Sequence, residues 1–142
     1  MSSSPLFSST PSQQRFGITV LRVVTGIVFA AHGYQKLFSF GISGIEGGFS
    51  KMGVPLPTVT APLISFLESF GGLALIVGLL TRLTALGLAC DMLGAMLFVH
   101  MKNGFFAPEG VEFVLVLFTA SLALMFAGPG RFSVDDIIAS RR

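Results

Sequence analysis

Seven ionisable side chains, Arg22, His32, Lys36, Glu68, Asp91, His100 and Glu112, stand inside or at the edges of apolar runs, where charge is expensive and marks function by default. Counted at 1.5 Å per helical residue, Glu68 and Asp91 lie near the middle of their runs and Arg22 somewhat beyond. A guanidinium prefers a bidentate carboxylate partner, so Arg22 is expected to reach Glu68 or Asp91 in a buried polar cluster. One carboxylate is then left over, and two of them facing one cation in a dry site would share a proton. That is a proton-handling arrangement. His32, Lys36, His100 and Glu112 form a shallower layer, within roughly 10 Å of one membrane surface on the same rise. This layer is suited to a quinone headgroup, an anion or a metal, or to passing protons to the surface. Plainer roles fit the same residues. Arg22 with Glu68 can be a clamp that fixes helix register, each histidine can donate to a backbone carbonyl, and Lys36 and Lys102 can snorkel to the interface. Cys90 reads as a small buried apolar residue. No catalytic residue is assigned, and the spacing of His32, His100 and Glu112 matches no established metal-ligand motif.

Positioning these groups requires helices that cross a bilayer. In the 142-residue chain 52% of residues are hydrophobic and only 11% charged, and the mean hydropathy is +0.82, against about 25% charged in a soluble domain. Each crossing takes about 20 residues, so the length fits one all-α, integral membrane four-helix bundle. Spans are expected at about 16–38, 59–80, 82–101 and 111–127, within a transmembrane domain of residues 15–131. Residues 1–14, rich in Ser and Gln with Pro5 and Pro11, read as a disordered tail without the features of a signal peptide. Residues 40–57, with many glycines and with Pro55 and Pro57, read as a loop holding at most a short interfacial turn at 45–52. Residues 132–142 read as a polar tail in which SVDD caps a brief final turn.

Small residues indicate which helix faces meet, because lipid tails supply no hydrophobic drive and close backbone approach must supply the attraction. On the first span Arg22, Gly26, Phe29, Gly33 and Lys36 fall within a stripe of roughly 80° at 100° per residue. Ser65, Glu68, Gly71 and Gly72 share a face of the second span, and Thr84, Gly87, Asp91, Ala95 and Lys102 a face of the third. Each stripe carries charge, which directs the charges toward the bundle interior.

The net charge of +2 comes from arginines near the helix ends and forms no basic face, which excludes nucleic acid as a partner. One cysteine, Cys90, cannot build an internal disulfide, a CxxC redox pair or a thiolate cage. Arg15, Arg82, Arg131, Arg141 and Arg142 fall on one side of the membrane and Lys36, Lys51 and Lys102 on the other, which favours both termini in the cytoplasm. A bundle this small encloses limited volume, which leaves room for a homo-oligomer that completes a site between copies.

LRVVTGIVFAAHGYQKLF at Leu21–Phe38, MGVP at Met52–Pro55, ESFGGLALIVGLLTR at Glu68–Arg82 and GPGRFSVDD at Gly128–Asp136 together resemble the DoxX family of small four-helix bacterial membrane proteins. The resemblance runs from about Arg15 to Asp136. Carried over position by position, it points to Arg22, His32, Gly33, Lys36, Glu68, Gly72, Arg82, Gly128, Gly130, Arg131, Ser133 and Asp135; Asp91 lies outside the signature. It implies a multi-pass protein of the bacterial inner membrane in membrane redox metabolism, as an accessory subunit of a quinone-linked complex. Its partners would be the lipid bilayer and other membrane or redox-complex subunits, and its cofactor stays open, with a quinone as one candidate. Two other classes stay open: a noncatalytic membrane scaffold, and a small proton or solute transporter with the midplane acid as its titrating group.

Overall fold

The computed structural model describes residues 6–142. Thr10 opens the first helix, α1 (Pro11–Tyr34), through a capping box. Its hydroxyl accepts from the Gln13 amide at 3.2 Å, and the Gln13 side chain accepts from the Thr10 amide at 2.8 Å. Two otherwise orphaned donors are satisfied, and Pro11 at the first helical position needs no donor of its own. Residues 11–14 are therefore helical, not part of a disordered tail; residues 1–5 of that expected tail lie outside the described residues.

α1 widens into a π-helical turn at Gln35–Phe40 and breaks at Gly41, whose φ is +74°. The expected loop is instead a second helix, α2 (Gly41–Met52). Its interior glycines each cost about 1 kcal/mol relative to alanine. Against that, Ile45, Phe49 and Met52 recur at helical spacing and line the inside of the bundle, and tertiary packing of one apolar face outweighs propensity. Gly53, at φ +77°, and the Val54 amide bonded to the Phe49 carbonyl at 3.0 Å close it in a Schellman-type cap.

Pro57 starts α3 (Pro57–Val77), and Gly78, at φ +72°, ends it. Two residues later comes α4 (Thr81–Ala95), which also widens into a π-helical turn, Met96–His100, before a 3-10 turn at Met101–Asn103. α5 (Glu112–Ala127) follows a loop, and Ser133 caps the short α6 (Val134–Ser140) by accepting from the Asp136 amide at 3.1 Å. No strand occurs among the described residues.

The protein is an all-α membrane bundle. Three helical stretches, Pro11–Met52, Pro57–Val77 and Thr81–Asn103, are long and apolar enough to cross a bilayer. α5, with 16 residues, spans about 24 Å and is shorter than the others. α1 packs along α3 and α4 along α5, with α3 joining the two pairs to α4 and α2 folded against α3. Phe29, Leu75, Leu88, Met92, Leu117 and Leu124 fill the centre, while Val24, Leu63 and Phe70 are among many apolar side chains left facing outward, toward lipid.

The stripes on α1 and α3 are buried as their spacing predicts: Arg22, Gly26, Phe29 and Gly33 on one helix, Ser65, Glu68, Gly71 and Gly72 on the other. A Cβ on Gly26 would sit 2.7 Å from the Gly72 carbonyl, one on Gly33 would strike the Ser69 backbone, and one on Gly72 the Ala30 backbone. On α4 the buried face is Ala85, Leu88, Asp91 and Met92, whereas Thr84, Gly87 and Ala95 are only half-buried and Lys102 is exposed. The difference arises because α4 lies between α3 and α5 and turns its apolar side to α5. Gly72→Val should lower the thermal stability in detergent by an amount typical of overpacking, about 1–3 kcal/mol. Gly17→Ala, where a Cβ meets nothing within 4 Å, should leave the melting temperature unchanged or slightly raised.

Candidate functional site

Glu68 projects from the middle of α3 and is 3% exposed. A bare carboxylate in such surroundings is costly, and the side chain that answers it is Lys36, from the widened turn of α1. Its Nζ lies 2.6 Å from Glu68 Oε2. Lys36 therefore does not snorkel to the headgroups: it turns inward, because an ion pair gained inside offsets more than hydration of the ammonium outside. Asp91, on the inner face of α4, sets its carboxyl against that of Glu68. Asp91 Oδ2 is buried without a partner.

This trio lies in the wall of a cavity of about 580 Å³. A single protomer thus has a cavity of its own. Phe29, Phe98, Phe113 and Leu117 form much of the wall, and α2 contributes Ile45, Phe49 and Met52. His32 and His100 both reach it. His32 Nδ1 is 2.9 Å from the Val28 carbonyl, with its ring tilted against Phe113 at 5.7 Å, and His100 Nδ1 is 2.9 Å from the Glu109 carbonyl. A carbonyl can only accept, so Nδ1 carries the proton in each ring and Nε2 is the nitrogen left for the cavity. Both π-helical turns occur at this level, where such turns are often found near functional sites.

The two expected layers are therefore one site, with two departures. Glu112 lies outside the cavity lining; its Oε1 accepts from the Ala107 amide at 2.8 Å and braces the loop before α5. Arg22 is also elsewhere. Its guanidinium donates to the carbonyls of Pro129, Arg131 and Phe132, the last two at 3.1 Å. Carbonyls of a strap crossing the far end of the bundle replace the expected carboxylate. Cys90 lines the cavity and is exposed, not buried. Among the described residues no three His, Cys, Asp or Glu side chains are grouped to hold a metal.

The remaining motif residues build that far end. Asp135 accepts from the Leu80 and Thr81 amides at 2.7 and 2.9 Å, capping α4, while its own amide donates to the Gly78 carbonyl at 3.0 Å. Arg82 donates to the Met125 and Phe126 carbonyls at the end of α5, and Gly128 leaves room for its guanidinium. Arg15 holds the Gly130 carbonyl at 2.8 Å and Asp136 at 2.6 Å, and Arg131 donates to Ser12 at 3.0 Å. Thr19 accepts from the Arg131 amide at 2.7 Å, at a place where a Cβ on Gly130 would intrude. Gly128, Gly130, Arg131, Ser133 and Asp135 thus serve a clasp that ties α1, α4 and α5 together. The sequence carried a signal for the strap, its glycines and its SVDD cap, but none for the carbonyls that Arg22 grips. Nor did it reveal α2 as a wall of the cavity, although the spacing of Ile45, Phe49 and Met52 is visible in hindsight.

Removing one member of a buried ion pair strands the other at about 3–5 kcal/mol. Lys36→Met should accordingly destabilise the protein far more than the double change Lys36→Met with Glu68→Gln. Thermal unfolding of both single variants and the double variant should give a coupling above about 1 kcal/mol, and additive losses would contradict the pairing.

The DoxX family profile matches residues 17–101. The chain is 30% identical over 135 residues to an uncharacterized membrane protein of Mycobacterium tuberculosis, covering 87% of this chain and 82% of that one. It is 34% identical to "Putative oxidoreductase CatD" of Bacillus subtilis over 76% of this chain and 78% of the relative. With "Inner membrane protein YqjF" of Escherichia coli it shares 35% identity over 86% and 92% of the two chains. No solved structure gives a significant match. Apolar crossing helices, the small-residue seam between α1 and α3, and this agreement over most of the chain make the protein an integral membrane protein of the DoxX family.

Proposed function

We propose that the protein is a quinone-binding accessory subunit of a redox complex in the bacterial inner membrane. The observation that carries this reading is an apolar, aromatic-walled cavity of about 580 Å³ whose few polar groups are His32, His100 and the Lys36, Glu68 and Asp91 trio. Ligand sites typically enclose about 300–1,000 Å³, largely apolar with a few convergent polar groups. The Lys36 ammonium, with donors beyond the one it gives to Glu68, supports this reading as a partner for a ring oxygen. When bound, a quinone supplies two-electron, two-proton chemistry. The protein's part is to orient the ring against Phe113 and Phe98, keep bulk water from it, and accept or return a proton at the paired carboxyl groups of Glu68 and Asp91. Lys36 holds the Glu68 carboxylate in place for that exchange.

With one cysteine in the chain, no internal dithiol can furnish electrons, so they come from a partner subunit. Membrane redox chemistry agrees with the printed name of the Bacillus subtilis relative, and the inner membrane with that of the Escherichia coli relative. Both termini lie in the cytoplasm on this reading, following the excess of arginines at the clasp end.

Native mass spectrometry and solvent extraction of the protein, purified in mild detergent from its own membrane, should report a retained quinone and copurifying subunits. His32→Leu should weaken retention of the reduced, dihydroxy ring about fivefold, the loss of one hydroxyl hydrogen bond of about 1 kcal/mol; a ligand-free, partner-free wild-type preparation would reject the reading. For topology, a fluorescent protein fused after Arg142 should fluoresce and alkaline phosphatase at the same place should be inactive. The opposite pair of results would put the termini outside.

A further inference from the structure

α3 and α4 are joined by a tight turn, and near that turn they touch. A Cβ on Gly71 would lie 3.4 Å from side-chain carbons of Thr84 and Leu88, and one on Gly87 would lie 3.3 Å from Leu67. Gly94 stands two turns beyond Gly87 on the same face of α4, yet a Cβ there would meet nothing within 4 Å. The seam is closed at Gly87 and open at Gly94. Its open part is continuous with the cavity: Thr60, Ile64 and Glu68 recur at every fourth residue of α3, Cys90, Gly94 and Phe98 at every fourth residue of α4, and both rows line the cavity. Cys90 and Phe98 are also exposed, beside outward-facing Leu63, Leu93 and Leu97.

Counted at about 1.5 Å per residue from Thr81, Cys90 lies about 14 Å into a stretch long enough to cross the bilayer, Thr81–Asn103. The opening therefore begins near the middle of the hydrocarbon. Its rim offers a hydrated solute little beyond the weak thiol of Cys90, because the Thr60 hydroxyl is engaged with the Pro55 and Leu56 carbonyls at 3.1 and 3.0 Å. On another side the cavity is walled by α2, whose last carbonyl, that of Met52, lies 3.4 Å from Lys102 Nζ.

We propose that the ligand enters this cavity sideways from the bilayer, between α3 and α4, and that it is an amphiphile with a compact polar head beside Lys36 and Glu68 and a long apolar tail that leaves between Ile64, Cys90, Gly94 and Phe98. The inference rests on the proposed quinone site for the head and adds the tail and the route. A molecule dissolved in lipid is already at that depth, whereas a charged or hydrated one would have to shed its water to reach it.

The test uses the full chain in lipid nanodiscs and a benzoquinone whose decyl tail ends in a photoreactive diazirine. Crosslinks that an excess of unlabelled decyl-benzoquinone suppresses should fall on the outer edges of α3 and α4, around Leu63, Cys90 and Leu97. Gly94→Leu fills the opening, and leucine favours helix over glycine, so this variant should melt no lower than the wild type yet bind the probe at least tenfold more weakly. Gly17→Leu, where a Cβ also meets nothing within 4 Å, should leave the affinity within twofold. Cys90→Phe narrows the same opening from its outer edge and should act like Gly94→Leu if that variant does not fold. Suppressible crosslinks on α2 or on the loop before α5, or an unchanged affinity in Gly94→Leu, overturn the lateral route and leave the quinone site standing. Absence of binding and of suppressible crosslinks at micromolar probe overturns both.

Discussion

An ionised side chain in hydrocarbon has to be answered from within the protein, and the Lys36 and Glu68 pair, closed at 2.6 Å, is where this chain meets that demand. The ammonium comes from the end of α1 and the carboxylate from the middle of α3. For the two to meet, those helices must run close together, which is what Gly26, Gly33 and Gly72 permit by presenting bare backbone to one another. Lipid gives helices no hydrophobic reason to associate, so the seam supplies van der Waals contact and the ion pair fixes the register. Asp91 then joins from α4 and draws the second pair of helices to the same point.

Polar chemistry is thus divided between the two ends of the bundle. At one end Arg15, Arg22, Arg82 and Asp135 spend most of their donors and acceptors on backbone groups of the strap and the helix termini, while Arg22 Nε and Thr81 Oγ1 stay without partners. The other end holds polar groups in an apolar cavity with bonding capacity to spare. That contrast separates the structural arginines from the side chains to which a function is assigned, although all of them look alike as charges buried in apolar sequence.

The fold was legible where composition and period speak directly. The crossing helices follow from hydropathy, and the buried faces of α1 and α3 from small residues recurring at helical spacing. α2 was hidden because Gly44, Gly47, Gly48 and the nearby prolines argue locally against helix, whereas the burial of Ile45, Phe49 and Met52 that favours it is a tertiary effect. At the site, the sequence gathered His32, Lys36, Glu68, Asp91 and His100 as candidates but paired the wrong cation with the carboxylates. Depth along a helix axis does not say how far a lysine stem bends inward, and a backbone carbonyl leaves no mark in the sequence, so the true partners of Arg22 could not be read. Glu112 was misplaced for a related reason: its carboxylate serves a loop amide, a local contact that resembles a functional charge when seen only as a charge.

The strap also orders events during biosynthesis. Arg22 is in the first span to be made, yet the carbonyl of Pro129 stands 107 residues later. At about 5–20 residues per second, the ribosome needs roughly 5–20 s to produce it. Throughout that interval the guanidinium is in a nascent helix without its acceptors, held by water, headgroups or the insertion machinery. The clasp can lock only after α5 has entered the membrane and the strap has folded back beneath it, so a chain that reaches past Asp136 is the first species in which α1, α4 and α5 are tied together.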